Sequence, residues 1–140
     1  MTRADIDRRL AEHQAGFLAR SPDLLAMTHA PDGTLEGPAH GVVRGRDAIR
    51  EVYRYWYNAF PDMMLSWGAA IVEPPRAALF WKFEGTTTGH FFGETRPGTP
   101  IKMIGAGEYT FSPEGIVSVR HIFDFSAVLV NAGVLKIKPA

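Results

Sequence analysis

The sequence contains no cysteine among its 140 residues. Disulfide bonds, thiolate nucleophiles and cysteine-ligated metal sites are therefore excluded, and the fold must depend on packing. Net charge is also absent, because 15 basic residues balance 15 acidic ones. Without a basic field to attract a phosphate backbone, we do not expect the chain to bind nucleic acid.

Long apolar runs are missing as well. No stretch approaches the roughly 18 apolar residues that a membrane span needs. Charged residues interrupt the N-terminal segment 1–10, so we expect neither a signal peptide nor a membrane partner, and we predict a cytoplasmic location. The five histidines show no spacing typical of metal ligands, so no metal site is predicted.

Apolar residues at helical spacing dominate the first half of the chain. Proline, glycine and capping residues mark where each predicted element begins and ends. The predicted elements are a helix over 4–19 with Thr2 or Asp5 near its cap, a short helix from Ser21-Pro22-Asp23 to Met27, a turn at Pro31-Asp32-Gly33, a short strand over 34–36, and a long helix that follows the lead-in residues 44–48, carries apolar residues from Ile49 to Phe60 and ends at Pro61-Asp62.

The second half of the chain has the pattern of strands separated by tight turns. The predicted strands cover 63–72, 77–88, 101–111 and 116–124, and a short final helix is capped by Ser126 and ended by Gly133. Consecutive strands with short connections pair antiparallel. The sequence therefore predicts a single α+β domain over 1–140, in which a strongly curved antiparallel sheet forms a cone around the N-terminal helices and leaves a pocket at its open end.

Several motifs between Gly33 and Gly133 resemble the SnoaL-like polyketide cyclases and ester cyclases of the superfamily that includes nuclear transport factor two. The motifs are Gly45-Arg46-Asp47-Ala48-Ile49, Phe60-Pro61-Asp62, the run from Gly85 to Gly93, Pro97-Gly98-Thr99, Glu114-Gly115-Ile116-Val117, and Asp124 before a helix with Val128, Leu129 and Gly133. Thr87 replaces the family's histidine in the Gly85–Gly93 run. The resemblance implies the cone-shaped fold, a small-molecule pocket and a homodimer.

Asp124 is the leading candidate for an acid/base group. It stands beside Ile122, Phe123 and Phe125, and a carboxyl group facing a dry pocket would have a raised pKa. The resemblance implies the same role, because the matching position in SnoaL-like cyclases is their acid/base aspartate. The alternative is that Asp124 caps the closing helix.

Four other residues are candidates for chemistry in the pocket. Arg120 lies on the same strand face as Asp124 and would polarise a carbonyl if it pointed inward; otherwise it forms a surface ion pair. His121 lies on the opposite face, and His90 lies in a loop near the expected pocket mouth, so each is a candidate proton carrier. Glu108 is either a second pocket carboxylate or an exposed residue.

Aromatic residues are the predicted walls of the pocket. Trp81, Phe83 and Thr87 share one face of their strand, which we assign to the cavity, while Lys82 and Glu84 share the other. Tyr53 and Trp56 belong to an aromatic stripe on the long helix. That stripe packs in the core or presents a polar tip to a ligand.

These observations favour an enzyme that performs cofactor-independent acid/base chemistry, an aldol-type cyclisation or an isomerisation, on a small apolar carbonyl compound. Two alternatives stay open: a non-catalytic small-molecule-binding domain of the same fold, and an epoxide hydrolase of the limonene-epoxide type using Arg120, Asp124 and Glu108. A ketosteroid isomerase mechanism is disfavoured, because Gly37 and Gly107 occupy the positions expected of its acidic groups.

Overall fold

The computed structural model describes residues 1–138. In this range the helices are α1 (Arg3–Leu18), α2 (Pro22–Met27), α3 (Arg46–Ala59) and α4 (Phe125–Asn131), and the strands are β1 (His29–Gly37), β2 (Gly41–Arg44), β3 (Met64–Trp67), β4 (Ile71–Glu73), β5 (Arg76–Thr86), β6 (Pro100–Ser112) and β7 (Gly115–Phe123).

Capping residues begin the first two helices as the sequence predicts. The Thr2 side chain accepts a hydrogen bond from the Asp5 backbone amide, and the Asp5 side chain accepts one from the Thr2 amide, which forms a capping box. Ser21 caps α2, and Pro22 occupies the first helical position. Both helices therefore begin and end within about one residue of their predicted bounds.

The strands form one curved sheet in the order β2-β1-β7-β6-β5-β3, with β4 paired to the first three residues of β5. The pair of β1 and β7 is parallel, and the other pairs are antiparallel. The long strands β5, β6 and β7 form the centre of the sheet, and α1 and α3 contribute buried side chains that pack against its concave face. The predicted α+β architecture is confirmed.

Three local predictions in the sheet are wrong. Residues 31–33 belong to β1 rather than to a turn, and an irregularity in the register between His29 and Thr34 accommodates them. The sequence pattern also misses β2, which pairs with β1. The predicted strand 63–72 is divided into β3 and β4, because the register against β5 shifts by one residue between the pair Trp67–Trp81 and the pair Ile71–Ala78.

The core has two hydrophobic clusters. One joins α1, α2, α3, β1 and the adjoining parts of β5, β6 and β7 around Ile6, Leu35 and Ile49. The other is aromatic and includes Phe60 and Phe91, neither of which is exposed to solvent. In the part of the chain that the structure describes, no helix has the length and apolar character needed to cross a membrane.

Candidate functional site

A cavity of about 90 Å³ lies where the two core clusters meet on the concave face of the sheet. It is bounded by α1 and α3 on one side and by strands on the other. The walls are mainly aromatic and aliphatic: Phe17, Leu35, Val52, Tyr53, Trp56, Met63, Leu65, Trp67, Trp81, Phe83, Met103 and Phe123, together with Gly37, His40 and His121. Such a lining suits an apolar ligand with few polar groups.

Two glycines in β6 create the space in which the polar side chains of the cavity lie. A Cβ atom on Gly105 would come within 2.3 Å of the Trp81 indole, and one on Gly107 within 2.9 Å of the His121 imidazole. In the sheet register Gly105 stands opposite Trp81, and Gly107 stands opposite His121. The bare backbone of β6 therefore lets both rings approach the sheet closely, with their planes at 75° to each other.

A hydrogen bond between these two rings fixes the tautomer of His121. The Trp81 indole Nε1–H lies 3.2 Å from His121 Nδ1. An indole nitrogen can only donate, so Nδ1 must accept, and the imidazole proton of neutral His121 is on Nε2. His121 therefore presents an N–H donor rather than a lone pair at its second nitrogen.

The surroundings of His121 also keep it uncharged. Burial, together with the nearby His40, lowers the pKa of His121 from 6.5 to about 4. Protonation of Nδ1 would in addition break the hydrogen bond from Trp81. At neutral pH the residue is a neutral hydrogen-bond donor that lines an apolar cavity.

His40 is a cavity residue that the sequence analysis missed. It follows β1 in the turn to β2, and its imidazole lies against Gly37, where a Cβ atom would be 3.4 Å from His40 Nε2. Burial lowers the pKa of His40, and the Gly41 backbone partly offsets this effect. His40 was missed because the sequence pattern does not predict β2. Without that strand, residues 38–40 are not recognised as a tight turn between two paired strands.

A second group of polar residues lies deeper in the core. His13 and His29 are buried at 1% and 0% exposure, and their rings meet edge-to-face at 5.5 Å. His29 Nε2 is 2.8 Å from the Tyr53 hydroxyl, and His13 Nδ1 is 2.7 Å from Thr28 Oγ1. Because Thr28 donates its own proton to the Leu25 carbonyl, His13 Nδ1 is the donor in that pair.

The sequence contained a signal for one of these histidines. His13 follows Ile6 and Leu10 at helical spacing, on the face of α1 that is buried against the sheet. Burial lowers the pKa of His13 well below 6.5 and the pKa of His29 to about 3. Both are therefore neutral in the folded protein at physiological pH.

The expectation that Asp124 faces a dry pocket is wrong. Asp124 is exposed, and its carboxylate Oδ1 accepts a hydrogen bond of 3.0 Å from the Ala127 amide as the N-cap of α4. β7 ends at Phe123, so the carboxyl group follows the helix direction rather than the alternation of the strand. Asp124, and not Ser126, caps the closing helix.

The other charged candidates also lie outside the cavity. Arg120 is on the outer sheet face, where its Nε lies 3.2 Å from Glu36 Oε2. Glu108 pairs with Arg120 in the register and is exposed on the same face. His90 is exposed in the loop after β5. The arrangement of Arg120, Asp124 and Glu108 expected for epoxide hydrolysis is therefore wrong, because none of the three lines the cavity.

The predicted wall residues divide into two groups. Tyr53, Trp56, Trp81 and Phe83 line the cavity, as the strand alternation and the helical stripe indicate; their contact with a ligand stays a prediction. Thr87 is buried but does not line the cavity. Its hydroxyl donates to the Arg96 carbonyl and accepts from the Thr99 amide, so it holds the loop between β5 and β6.

Within residues 1–138, no group of three or more histidine, aspartate and glutamate side chains is arranged to hold a metal ion. His40 and His121 are thus the titratable groups at the cavity together with Tyr53, whose pKa is raised well above its ordinary value by burial. The geometry brings one fixed N–H donor and one second imidazole to an apolar cavity.

The model of one protein family, described as SnoaL-like polyketide cyclase, matches residues 8–131. The chain belongs to the SnoaL-like polyketide cyclase family. The resemblance inferred from the sequence motifs is confirmed. A search of curated protein sequences finds no match.

Solved structures of similar fold support the same architecture for this SnoaL-like protein. AclR from Streptomyces galilaeus, a putative hydroxylase, has a TM-score of 0.81 and 21% identity, covering 99% of this chain and 91% of AclR. IdmH from Streptomyces antibioticus, a putative polyketide cyclase, has a TM-score of 0.76 and 22% identity, covering 91% and 98%. An NTF2-like protein of unknown function from Burkholderia pseudomallei has a TM-score of 0.76 and 16% identity, covering 89% and 95%.

Proposed function

We propose that this SnoaL-like protein is an enzyme that carries out cofactor-independent acid/base chemistry on a small apolar carbonyl compound. The observation that carries the proposal is the Trp81–His121 pair, which presents a neutral imidazole N–H donor at an apolar cavity. A carbonyl oxygen is the complementary acceptor. The sequence favours an aldol-type cyclisation or an isomerisation, and each of these reactions passes through an enol or enolate in which that oxygen carries the added electron density.

The proposed role of His121 is to stabilise negative charge on the carbonyl oxygen. As an α-proton leaves the substrate, electron density moves to that oxygen, and the hydrogen bond from His121 Nε2 strengthens. In a water-excluded site a preorganised donor of this kind is worth about 10²–10³ in rate. A neutral imidazole serves this purpose because it need not surrender its proton completely.

The size of the cavity favours a small substrate or the end of a larger one. An engineered cavity of about 150 Å³ suffices to bind benzene, and the present cavity measures about 90 Å³. The cavity is therefore smaller than one that holds a single six-membered ring, so a ring substrate requires the wall side chains to move apart or extends through the opening of the cavity. The apolar walls would surround that ring, and Trp56 and Phe83 would exclude water from the reacting carbon.

The proposal is tested by hydrogen exchange on cyclohexanone, a ring compound with a single carbonyl group. In D₂O at pH 7, the protein is expected to catalyse replacement of the α-protons by deuterium, followed by ¹H NMR, above the rate in buffer alone. This readout needs no knowledge of the natural substrate, since enolisation is the step common to the candidate reactions.

A rate equal to that in buffer, measured at saturating cyclohexanone, would contradict the enzymatic proposal. Binding of the ketone without exchange would indicate the non-catalytic binding domain instead. An exposed-histidine variant, His90→Gln, provides the control for adventitious surface catalysis and is expected to retain the full wild-type rate.

We also propose a homodimer that forms through the outer face of the sheet. Phe80 and Ile122 are aligned across β5, β6 and β7 on this face, and with the nearby Ile104 they are 66–73% exposed. These three residues line a shallow groove on the outer face. Apolar exposure of this extent on neighbouring strands is typical of an interaction surface.

Sedimentation velocity at 50 µM is expected to show twice the chain mass of 15.5 kDa. Ile104→Glu, which places a charge in the groove, is expected to shift the protein to monomer. Leu18→Glu is the matched control, since Leu18 is 74% exposed on α1, compared with 73% for Ile104. A wild-type monomer, or a dimer unaffected by Ile104→Glu, would contradict the proposal.

A further inference from the structure

The turn between β1 and β2 brings a second imidazole to the cavity. Gly37 and Gly41 are paired at the end of the two strands, and His40 lies within this turn. Its ring packs over Gly37, where a Cβ atom would lie 3.4 Å from Nε2 and 3.6 Å from Cε1. Gly37, His40 and His121 all line the same cavity.

His40 has the hydrogen-bonding freedom that His121 lacks. The Trp81 indole occupies Nδ1 of His121, so His121 can offer only its Nε2–H. In contrast, His40 Nδ1 is buried without a side-chain partner, and the Gly41 backbone is the polar group that acts on its pKa. Among the residues that the structure describes, no side chain therefore fixes which nitrogen of His40 carries the proton, and the ring can present a lone pair at Nε2.

The other groups at the cavity cannot accept a proton as readily. Burial and the hydrogen bond from Trp81 oppose protonation of His121. Tyr53 holds its own proton more firmly than usual, because burial opposes the tyrosinate. Asp124, Glu108 and Arg120 do not line the cavity.

We propose that His40 is the catalytic base of this site and acts opposite the donor His121. The inference rests on the proposed function: in enolisation, one imidazole removes the α-proton and the other donates a hydrogen bond to the carbonyl oxygen. His40 Nε2 takes the α-proton, the electron pair of the broken C–H bond forms the C=C bond, and the carbonyl π electrons move to the oxygen that accepts from His121 Nε2–H. Return of a proton from His40 to carbon completes the exchange.

The first test is the pH dependence of cyclohexanone exchange. A base must be unprotonated, so wild-type kcat/KM is expected to fall at acid pH with a midpoint below 6.5, the direction in which burial moves the pKa of His40. His40→Gln, which keeps a polar side chain of similar length without a basic nitrogen, is expected to lose at least a hundredfold in kcat and this acid limb. An unchanged rate and profile in His40→Gln would overturn the inference.

A binding test examines the placement of His40 at the cavity independently of whether the protein catalyses exchange. Phenol is used as a stable mimic of the enol, because its hydroxyl can accept from His121 and donate to His40 Nε2. Toluene has the same ring without the hydroxyl. In ¹⁵N-histidine NMR spectra, phenol but not toluene is expected to shift the His40 ring nitrogens. His40→Gln is expected to weaken phenol binding about fivefold and leave toluene binding unchanged.

The outcomes of the two tests are distinct. Catalysed exchange that His40→Gln does not affect overturns the role of His40 and leaves the proposed function standing. Phenol-specific shifts at His40 without any exchange by the wild-type protein overturn the proposed function but support the opposed placement of the two imidazoles. Phenol binding that never perturbs His40 contradicts the inference whether or not exchange occurs.

Discussion

Replacement of His121 by phenylalanine is expected to lower the rate of cyclohexanone exchange at least a hundredfold. The variant keeps a ring over Gly107 but removes the N–H donor that would stabilise the enolate oxygen. KM is expected to change less than kcat, because the donor interacts more strongly with the charged transition state than with the neutral ketone. Exchange kinetics measured by ¹H NMR over a range of ketone concentrations separate the two parameters.

His121→Gln is the complementary variant. Its amide oxygen can accept from Trp81, and its NH₂ group can then donate into the cavity. It is expected to recover part of the activity that His121→Phe loses, which a role in packing alone would not produce. Equal losses in both variants, with unchanged near-UV circular dichroism, would contradict a donor role for His121.

The tautomer itself is observable without any substrate. ¹⁵N-histidine NMR is expected to show His121 protonated on Nε2 at pH 7, as the donation from Trp81 to Nδ1 requires. In Trp81→Phe this constraint is absent, and the pKa of His121 is expected to rise. A wild-type signal from the Nδ1–H tautomer would remove the basis for the proposed carbonyl contact.

Acidification is expected to destabilise the protein strongly between about pH 6.5 and pH 5. His13 and His29 are buried and neutral in the fold, and burial lowers the pKa of both, to about 3 for His29. The unfolded chain binds protons on both residues below about pH 6.5, so stability is full above that pH and falls as pH decreases. The two residues together contribute a slope of up to about 2.7 kcal/mol per pH unit, and His121, whose pKa burial lowers to about 4, adds up to about 1.4 kcal/mol per pH unit over the same range.

The slope can be measured by urea denaturation at a series of pH values. His29→Phe is expected to lower stability at pH 7, because the Tyr53 hydroxyl loses its partner, but also to remove about a third of the pH slope, since His13 and His121 keep their contributions. The exposed residue His90 offers the matched control, and His90→Gln is expected to leave the slope unchanged. Stability that is constant from pH 7 to pH 5 would show that the two histidines are not buried as neutral groups.

Regular patterns in the sequence predict most of the secondary structure. Thr2 with Asp5, and Ser21 with Pro22, mark helix starts through local hydrogen bonds that depend on neighbours within three residues. Alternation along β5 assigns Trp81 and Phe83 to the inner face, because side chains alternate in any regular strand. Predictions of this kind succeed because the residues that determine a helix start or the face of a strand lie within a few positions of it in the sequence.

The predictions about individual polar groups failed where the chain changes direction. The expectation for Asp124 extended the strand alternation by one residue, but β7 ends at Phe123 and the carboxylate caps α4. For Arg120 the sequence left open an inward position, suggested by the face that it shares with Asp124, and a surface ion pair; the structure shows the ion pair, with Glu36. Its position outside follows from the register, which sets it between Glu36 and Glu108.

The sequence by itself determined the family, the α+β class and the aromatic walls of the cavity, because these depend on motifs and on the periodicity of apolar residues. The tertiary structure alone decided which polar groups meet there. Gly105 and Gly107 make room for Trp81 and His121 across three strands, and the turn after β1 adds His40. Such contacts join residues that are far apart in the chain, so no local sequence pattern predicts them.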